Sequence, residues 1–450
     1  MIYGLFAAVV LFESATVDAL LDPGTYLYRG IGSWSGLPLI VSPLEVLLAI
    51  CLAAALLAER PSRDPRPARR SGRLMMPLLL IALGIGLVRG VIDGGDPYTA
   101  FWELRALLYV PLAYLAARRV LRSKRHVFVL MQFGLIAMGL FAIEGAYRRL
   151  ALIDTGQIGV GQEFSYQHED ATFLALFLLF VFAAQAFGAF GRLRLLGLFL
   201  SPLMLFTLLA TQRRAGIIVL LVGVLLIGFV MLLVRARAFL RGALPVIAAT
   251  CIFVALSWGS TGVLGQPARA IQSLYEPDLR DAASNLYRDI ETFDISQNIQ
   301  TNPLLGVGFG REFEMVIRLP DLSWWPFWHF ETHNSVLWIW LKTGAIGYVL
   351  VWSVLGGAMT RAAAAARRLD DAELRALSLF CLVSLVGTLV YAYVDLGFVS
   401  ERLMVALGIL LGVLEVVESL GYGVSPATAG GREEPWPSTT SSARPSPAAA

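Results

Sequence analysis

Two arginines stand side by side in TQRRAG, residues 211–216, a short connection between the apolar runs LRLLGLFLSPLMLFTLLA and IIVLLVGVLLIGFVMLLV. A guanidinium keeps its charge at any physiological pH and presents a fork of donors that fits phosphate oxygens two at a time. Arg213 and Arg214, held at a membrane boundary, therefore suit a diphosphate. Proton transfer near neutrality suits histidine, and the chain has four. His333, next to Asn334, sits where a hydrophilic segment re-enters an apolar run; His329 is the weaker rival. Arg105, in FWELRALLYV beside Glu103, is either a further phosphate contact or half of an ion pair. Glu169, Asp170, Asp321 and Glu331 are available carboxylates, but nothing in the sequence joins two of them as the acid and nucleophile of a glycosidase. Cys51, Cys251 and Cys381 lie inside apolar runs without metal or disulfide spacing and read as small buried hydrophobes.

The elements that must position these groups are membrane helices. Of 450 residues, 57% are hydrophobic and only 15% charged, against about 25% charged in soluble domains. A net charge of +3 gives no case for nucleic acid as a partner. Apolar runs of about 20 residues are the mark of membrane spans. They fall at 2–21, 37–58, 74–93, 101–117, 127–147, 170–188, 194–211, 215–234, 242–259, 334–357, 375–395 and 402–420. The expected fold is thus an all-α polytopic membrane protein of about 12 transmembrane helices. Glu13 and Asp18 interrupt the first run, and Pro43 and Glu45 fall in the second. With no Lys or Arg before Arg29, the first run does not resemble a cleaved signal peptide.

Orientation follows from the short loops that keep Lys and Arg. Arg60, Arg63, Arg66, Arg69, Arg70 and Arg73 follow the second run, and Arg118, Arg119, Arg122, Lys124 and Arg125 the fourth. Arg192 and Arg194 follow the sixth, Arg235, Arg237 and Arg241 the eighth, and Arg361, Arg367 and Arg368 the tenth. All these loops share one side, which should be cytoplasmic. Both termini then lie inside and segment 260–333 lies outside. Residues 1–423 form one membrane domain with that single larger loop, and 424–450, rich in Pro, Ser, Thr and Ala, form a disordered cytoplasmic tail. Arg213–Arg214 and Arg148–Arg149 then break the charge rule by facing outward. Each pair either snorkels to lipid headgroups or serves a function.

In the outer loop, ARAIQSLYEPDLRDAASNLYRDIETFDISQNIQ suits helix. Leu274, Leu279, Leu286, Ile290 and Phe293 recur at loose helical spacing, as in amphipathic helices lying on a membrane and covering a site at its edge. NPLLGVGFG, residues 302–310, predicts a turn in which Gly306, Gly308 and Gly310 take backbone closed to other residues. Without a preceding strand or a P-loop lysine, it is not a nucleotide motif. Trp324, Trp325, Phe327, Trp328 and Phe330 read as an interfacial aromatic belt, or as faces on which a sugar stacks.

TQRRAG, NLYRDIETFDISQNIQTNPLLGVGFG and HNSVLWIWLKTGAIGYVL together resemble the O-antigen ligase and O-antigen polymerase family of bacterial polysaccharide assembly, related to the C-type glycosyltransferases. With the hydropathy profile, the resemblance covers most of residues 37–420. It implies transfer of a glycan from undecaprenyl diphosphate to a hydroxyl of another glycan or of lipid A-core. The reaction would take place at the outer, periplasmic face of the bacterial inner membrane, among membrane lipids and without metal, nucleotide or other cofactor. Arg214 matches the arginine of the family's Ser-Arg pair, with Arg213 in place of the small hydroxyl residue. Arg288 matches the arginine ahead of the Asn-Pro turn, and His333 and Asn334 match its His-Asn. Near Lys342, where many members carry an acidic residue, this chain carries a cation.

On this reading Arg214 and Arg288, with Arg213, hold the diphosphate as the glycosyl bond breaks, and His333 orients or deprotonates the attacking hydroxyl with inversion. Two other classes compete. A lipid-glycan transporter or flippase would place ionisable groups near the membrane midplane, where Lys342 is the main example. A non-catalytic envelope scaffold would tolerate loss of Arg214 and His333.

Overall fold

The computed structural model describes residues 1–13, 26–35, 40–57, 70–156, 166–260, 262–273, 275–277, 279–323 and 325–422. Asp18, the loop arginines 60–69, Leu274, Trp324 and the tail 424–450 lie outside the described residues. Among the described residues the elements are helices: α1 (Ile2–Leu11), α2 (Gly32–Ser35), α3 (Pro43–Leu57), α4 (Arg70–Ile92), α5 (Pro97–Val120), α6 (Lys124–Tyr147), α7 (His168–Phe187), α8 (Gly191–Ala210), α9 (Arg214–Leu256), α10 (Gln266–Gln272), α11 (Leu279–Thr301), α12 (Ser335–Arg368), α13 (Ala372–Val394) and α14 (Glu401–Tyr422). Among the described residues nine helices are long and apolar enough to cross a membrane, and α1 and α3 are shorter apolar helices. In its described residues each of the twelve apolar runs overlaps a helix. The eighth and ninth share α9, which leaves helical geometry at Arg235. The first stops being helical at Leu11, two residues before Glu13.

At the centre lie α14 and α7, with α5 and α13 against them, while α9 keeps much of its surface on the outside of the bundle. The α5–α14 approach is close because Gly408 and Gly412 sit one turn apart over Val110, Ala113 and Ala117. Small residues at four-residue spacing let membrane helices touch backbone to backbone.

The predicted turn at 302–310 is a stitch between helices. Val307 N donates to Leu341 O (2.8 Å), Phe309 N to Gly86 O (3.0 Å), Ala345 N to Pro303 O (2.8 Å) and Asp96 N to Gly310 O (2.9 Å). Gly306, Gly308 and Gly310 all have positive φ, as expected. The constraint is sharpest at Gly308, where a Cβ would lie 2.2 Å from Gly90 N, and at Gly344, where it would lie 2.1 Å from Leu304 O. Gly344 (φ 65°, ψ −178°) interrupts α12, and the turn fills the break. Non-helical backbone beside a membrane bundle needs this internal satisfaction of its polar groups.

Buried ion pairs lock the helix ends. Lys342 and Glu103, both fully buried, pair at 2.7 Å, and Lys342 Nζ also donates to Arg311 O (2.6 Å). The cation inside the tenth run is thus neutralised by α5. Arg402 pairs with Glu169 (3.2 Å) and Asp170 and donates to Val9 O (2.9 Å), joining α14, α7 and α1. Arg148 is buried between Glu13 (2.6 Å) and Glu144 (2.8 Å), and Arg149 pairs with Asp154 (2.9 Å). The Arg148–Arg149 pair therefore braces the α6 end, and Glu13, which interrupts the first run, is a counterion of Arg148. Cys51 and Cys381 are buried as expected. Cys251 is exposed, on the outside of a helix whose surroundings in a membrane would be apolar.

Candidate functional site

TQRRAG closes the α8–α9 connection in one tight turn. Thr211 Oγ1 donates to Leu208 O (2.7 Å) and accepts from Arg213 N (3.2 Å), while Gln212 takes φ +53°. This left-handed conformation is uncommon for a side chain of that size. It sets Arg213 at the N-cap of α9 and Arg214 in its first turn. Arg213 reaches Tyr166 O (3.3 Å, from Nε) and His168 Nε2 (2.7 Å, from Nη1). Arg214 reaches the loop beyond α9: Ser273 Oγ at 3.4 Å, Asn285 Oδ1 at 3.2 Å and Asp281 Oδ1 at 3.2 Å.

His168 opens α7, whose first turn is held by Glu169 and Asp170 in the Arg402 pair. Its Nδ1 lies 2.5 Å from Asp395 Oδ2, immediately after α13. Burial works against the Asp395 carboxylate. The charge and hydrogen bond of His168, the charge of His333 and the Leu396 amide outweigh it and hold its carboxyl well below the usual range. Arg288 Nη2 is 3.9 Å from the same Oδ2, and Arg288 Nε is a buried donor without a partner. Arg213, His168, Asp395 and Arg288 thus form one chain of contacts across the bundle end.

The α11 helix carries the opposite wall. Asp281, Asn285, Arg288 and Glu291 recur at three- and four-residue spacing, which places them on one face. In order they meet Arg214, Asp395 and His333. Glu291 Oε2 accepts from His333 N (2.8 Å) and Oε1 lies 3.2 Å from His333 Nδ1. Tyr287 and Trp325 stand edge-on to the imidazole, with ring centres 5.4 and 6.5 Å away. Burial, then Glu291, raises the Tyr287 phenol. Leu279, Leu286 and Phe293 are exposed in a seven-residue stripe, while Asp294, Ile295 and Asn298 are buried. The expected amphipathic helix is present, and its polar face points at the protein.

The structure brings together Arg213, Arg214, Arg288 and His333. Asn334 instead acts on the backbone, where its Oδ1 accepts from Leu337 N (3.1 Å) and caps α12, fixing the helix that follows His333. Arg105 does not join the cluster. Arg105, 4% exposed, pairs with Glu45 (2.8 Å) and Glu401 (3.0 Å) and bonds Tyr109 Oη (2.6 Å). Of the two sequence readings the ion pair is what forms, with Glu45 and Glu401 rather than the neighbouring Glu103. His329 pairs at 3.4 Å with Glu312, away from these contacts. Sequence reasoning missed His168, Asp395 and Glu291. The first two lie at the ends of the sixth and eleventh runs, on the side assigned to Arg213, so the loop alternation was the signal for them. Glu291 is one turn beyond Arg288, and only the α11 periodicity pointed to it.

These features define a polytopic α-helical membrane protein with three arginines, two histidines and two buried carboxylates, Asp395 and Glu291, gathered at one end. Residues 199–352 match the family model described as O-antigen ligase. That third of the chain contains Arg213, Arg214, Arg288, His333 and Asn334; His168 and Asp395 come from outside it and complete the cluster. No curated protein matches the chain.

Proposed function

We propose that the protein is a membrane glycosyltransferase that moves a glycan from undecaprenyl diphosphate to an acceptor hydroxyl at the periplasmic face of the bacterial inner membrane. The observation that carries this reading is the convergence of Arg213, Arg214, Arg288 and His333 around His168 and Asp395, with four of these residues inside the O-antigen ligase segment. Arg214 and Arg288 are partly exposed, and Arg288 has an unpartnered buried Nε, so both have donors to offer an anion.

The diphosphate is held by these guanidiniums, which stabilise the charge that grows as the bond between the anomeric carbon and the phosphate oxygen breaks. The departing diphosphate keeps the bonding electron pair. The acceptor oxygen attacks from the other face, its proton passes to His333, and configuration at the anomeric carbon inverts. No metal or nucleotide is required by this scheme. The positive-inside alternation of the loops supports a periplasmic site. A transporter reading lacks similar support: Lys342, its main midspan charge, is tied to Glu103.

The test uses purified protein in lipid with an undecaprenyl-diphosphate-linked oligosaccharide, with and without lipid A-core, and products read by mass. Lengthened lipid-linked chains identify a polymerase, and transfer that depends on lipid A-core identifies a ligase. Absence of undecaprenyl diphosphate release in both conditions overturns the reading.

A further inference from the structure

The geometry points to Glu291 as a positioning residue that clamps His333 so that Nε2 is the ring atom left to take the acceptor proton. This inference rests on the transferase reading above. Glu291 is fully buried, and its two oxygens divide between the His333 backbone amide (2.8 Å) and Nδ1 (3.2 Å). An ionised carboxylate only accepts, so Nδ1 must carry its hydrogen and the neutral imidazole has its lone pair on Nε2. Holding main chain and ring together also fixes the rotation of the side chain, whose next residue is pinned by the Asn334 cap.

The clamp sits on the helix that supplies Arg288, one turn away, so one rigid element sets both a diphosphate contact and the base. The groups facing the imidazole are Tyr287, Arg288 and Glu291 from α11 and Asp395 from the turn after α13. Burial opposes the imidazolium, but the Glu291 hydrogen bond and charge, with Asp395, outweigh it and Arg288, and raise the His333 pKa. Proton flow is complete: the hydroxyl proton moves to Nε2 as the new bond to the anomeric carbon forms, and leaves from there to solvent.

The experiment compares pH–rate profiles of the full chain in lipid for wild type, Glu291→Gln, Glu291→Asp and His333→Ala, using the same lipid-linked donor. A base works in its neutral form, so activity climbs as pH rises through its pKa. Glu291→Gln keeps an acceptor for the backbone amide but loses the charge. Its rising limb should move to lower pH by about one unit, with kcat reduced at least roughly tenfold because the tautomer is no longer fixed and donor KM unchanged. Glu291→Asp keeps the charge and should hold the limb near wild type while losing rate to its shorter reach. A Glu291→Gln limb and kcat both at wild type, with His333→Ala inactive, overturn the clamp alone. An active His333→Ala removes His333 as the base and the clamp with it, and absence of transfer by wild type overturns the transferase reading beneath both.

Discussion

Arg213 and Arg214 are neighbours in the chain and bind different elements: Arg213 reaches the start of α7 at His168 and the Tyr166 carbonyl, and Arg214 reaches Ser273, Asp281 and Asn285 beyond α9. The pair therefore joins the membrane bundle to the loop that brings Arg288 and His333. Arg213, standing where a small hydroxyl is expected, adds a bond to His168 that a hydroxyl of that size could not span.

If Arg214 holds the diphosphate in the transition state, its loss should strike turnover. Arg214→Ala should lower kcat about 100- to 1,000-fold, the cost of removing one preorganised donor from developing negative charge. Arg214→Lys should recover little, because a point charge does not reproduce the two-donor fork. The check is product formation by mass, beside the quantity and melting temperature of protein in the membrane fraction. Near-wild-type turnover in Arg214→Ala would remove this residue from the mechanism.

The Lys342–Glu103 pair gives a stability prediction independent of function. Removing one partner of a buried pair leaves an uncompensated charge, at a cost of about 3–5 kcal/mol. Lys342→Met and Glu103→Gln should each melt well below wild type in detergent, while the double variant should regain a large part of the loss. Glu103→Gln keeps an oxygen that can accept from Gly310 N, so its loss reports on the ion pair rather than on the stitch. Simple addition of the two single losses would show that the charges do not act as a pair.

Sequence reading reached the bundle, its apolar runs and the glycine turn because period, length and φ-permissive residues are local properties. TQRRAG was legible because it departs from the side on which the other short loops keep their arginines, and His333 because it is one of four histidines and stands where the loop re-enters an apolar run. The partners were not legible. Glu291 looks like one more charge on a polar helix, and Asp395 like the end of an apolar run; each gains its role from a fold contact, with His333 and His168 respectively. Arg105 shows the reverse error: its sequence neighbour Glu103 turns to Lys342, while Glu45, about 60 residues earlier in the chain, takes its place. Ion-pair partners in a bundle are chosen by helix packing, which hydropathy does not encode.

Glu331 supplies a pH dependence. Burial, then the charges of Glu103 and Glu401, opposed by Lys342, push its carboxyl up to about 8. The folded chain thus holds this group neutral where the unfolded chain, with a value of about 4.3, ionises it. Stability is fully present below the unfolded value, declines as pH rises from there, and levels once pH passes the folded value. Glu331→Gln is neutral throughout, so it should match wild type near pH 4 and melt progressively higher relative to it up to about pH 8. Thermal melts of both proteins in one detergent across that range provide the comparison. A constant gap between them would mean that Glu331 is ionised in the fold and held by Lys342, which would tie the turn before His333 to the Lys342–Glu103 pair.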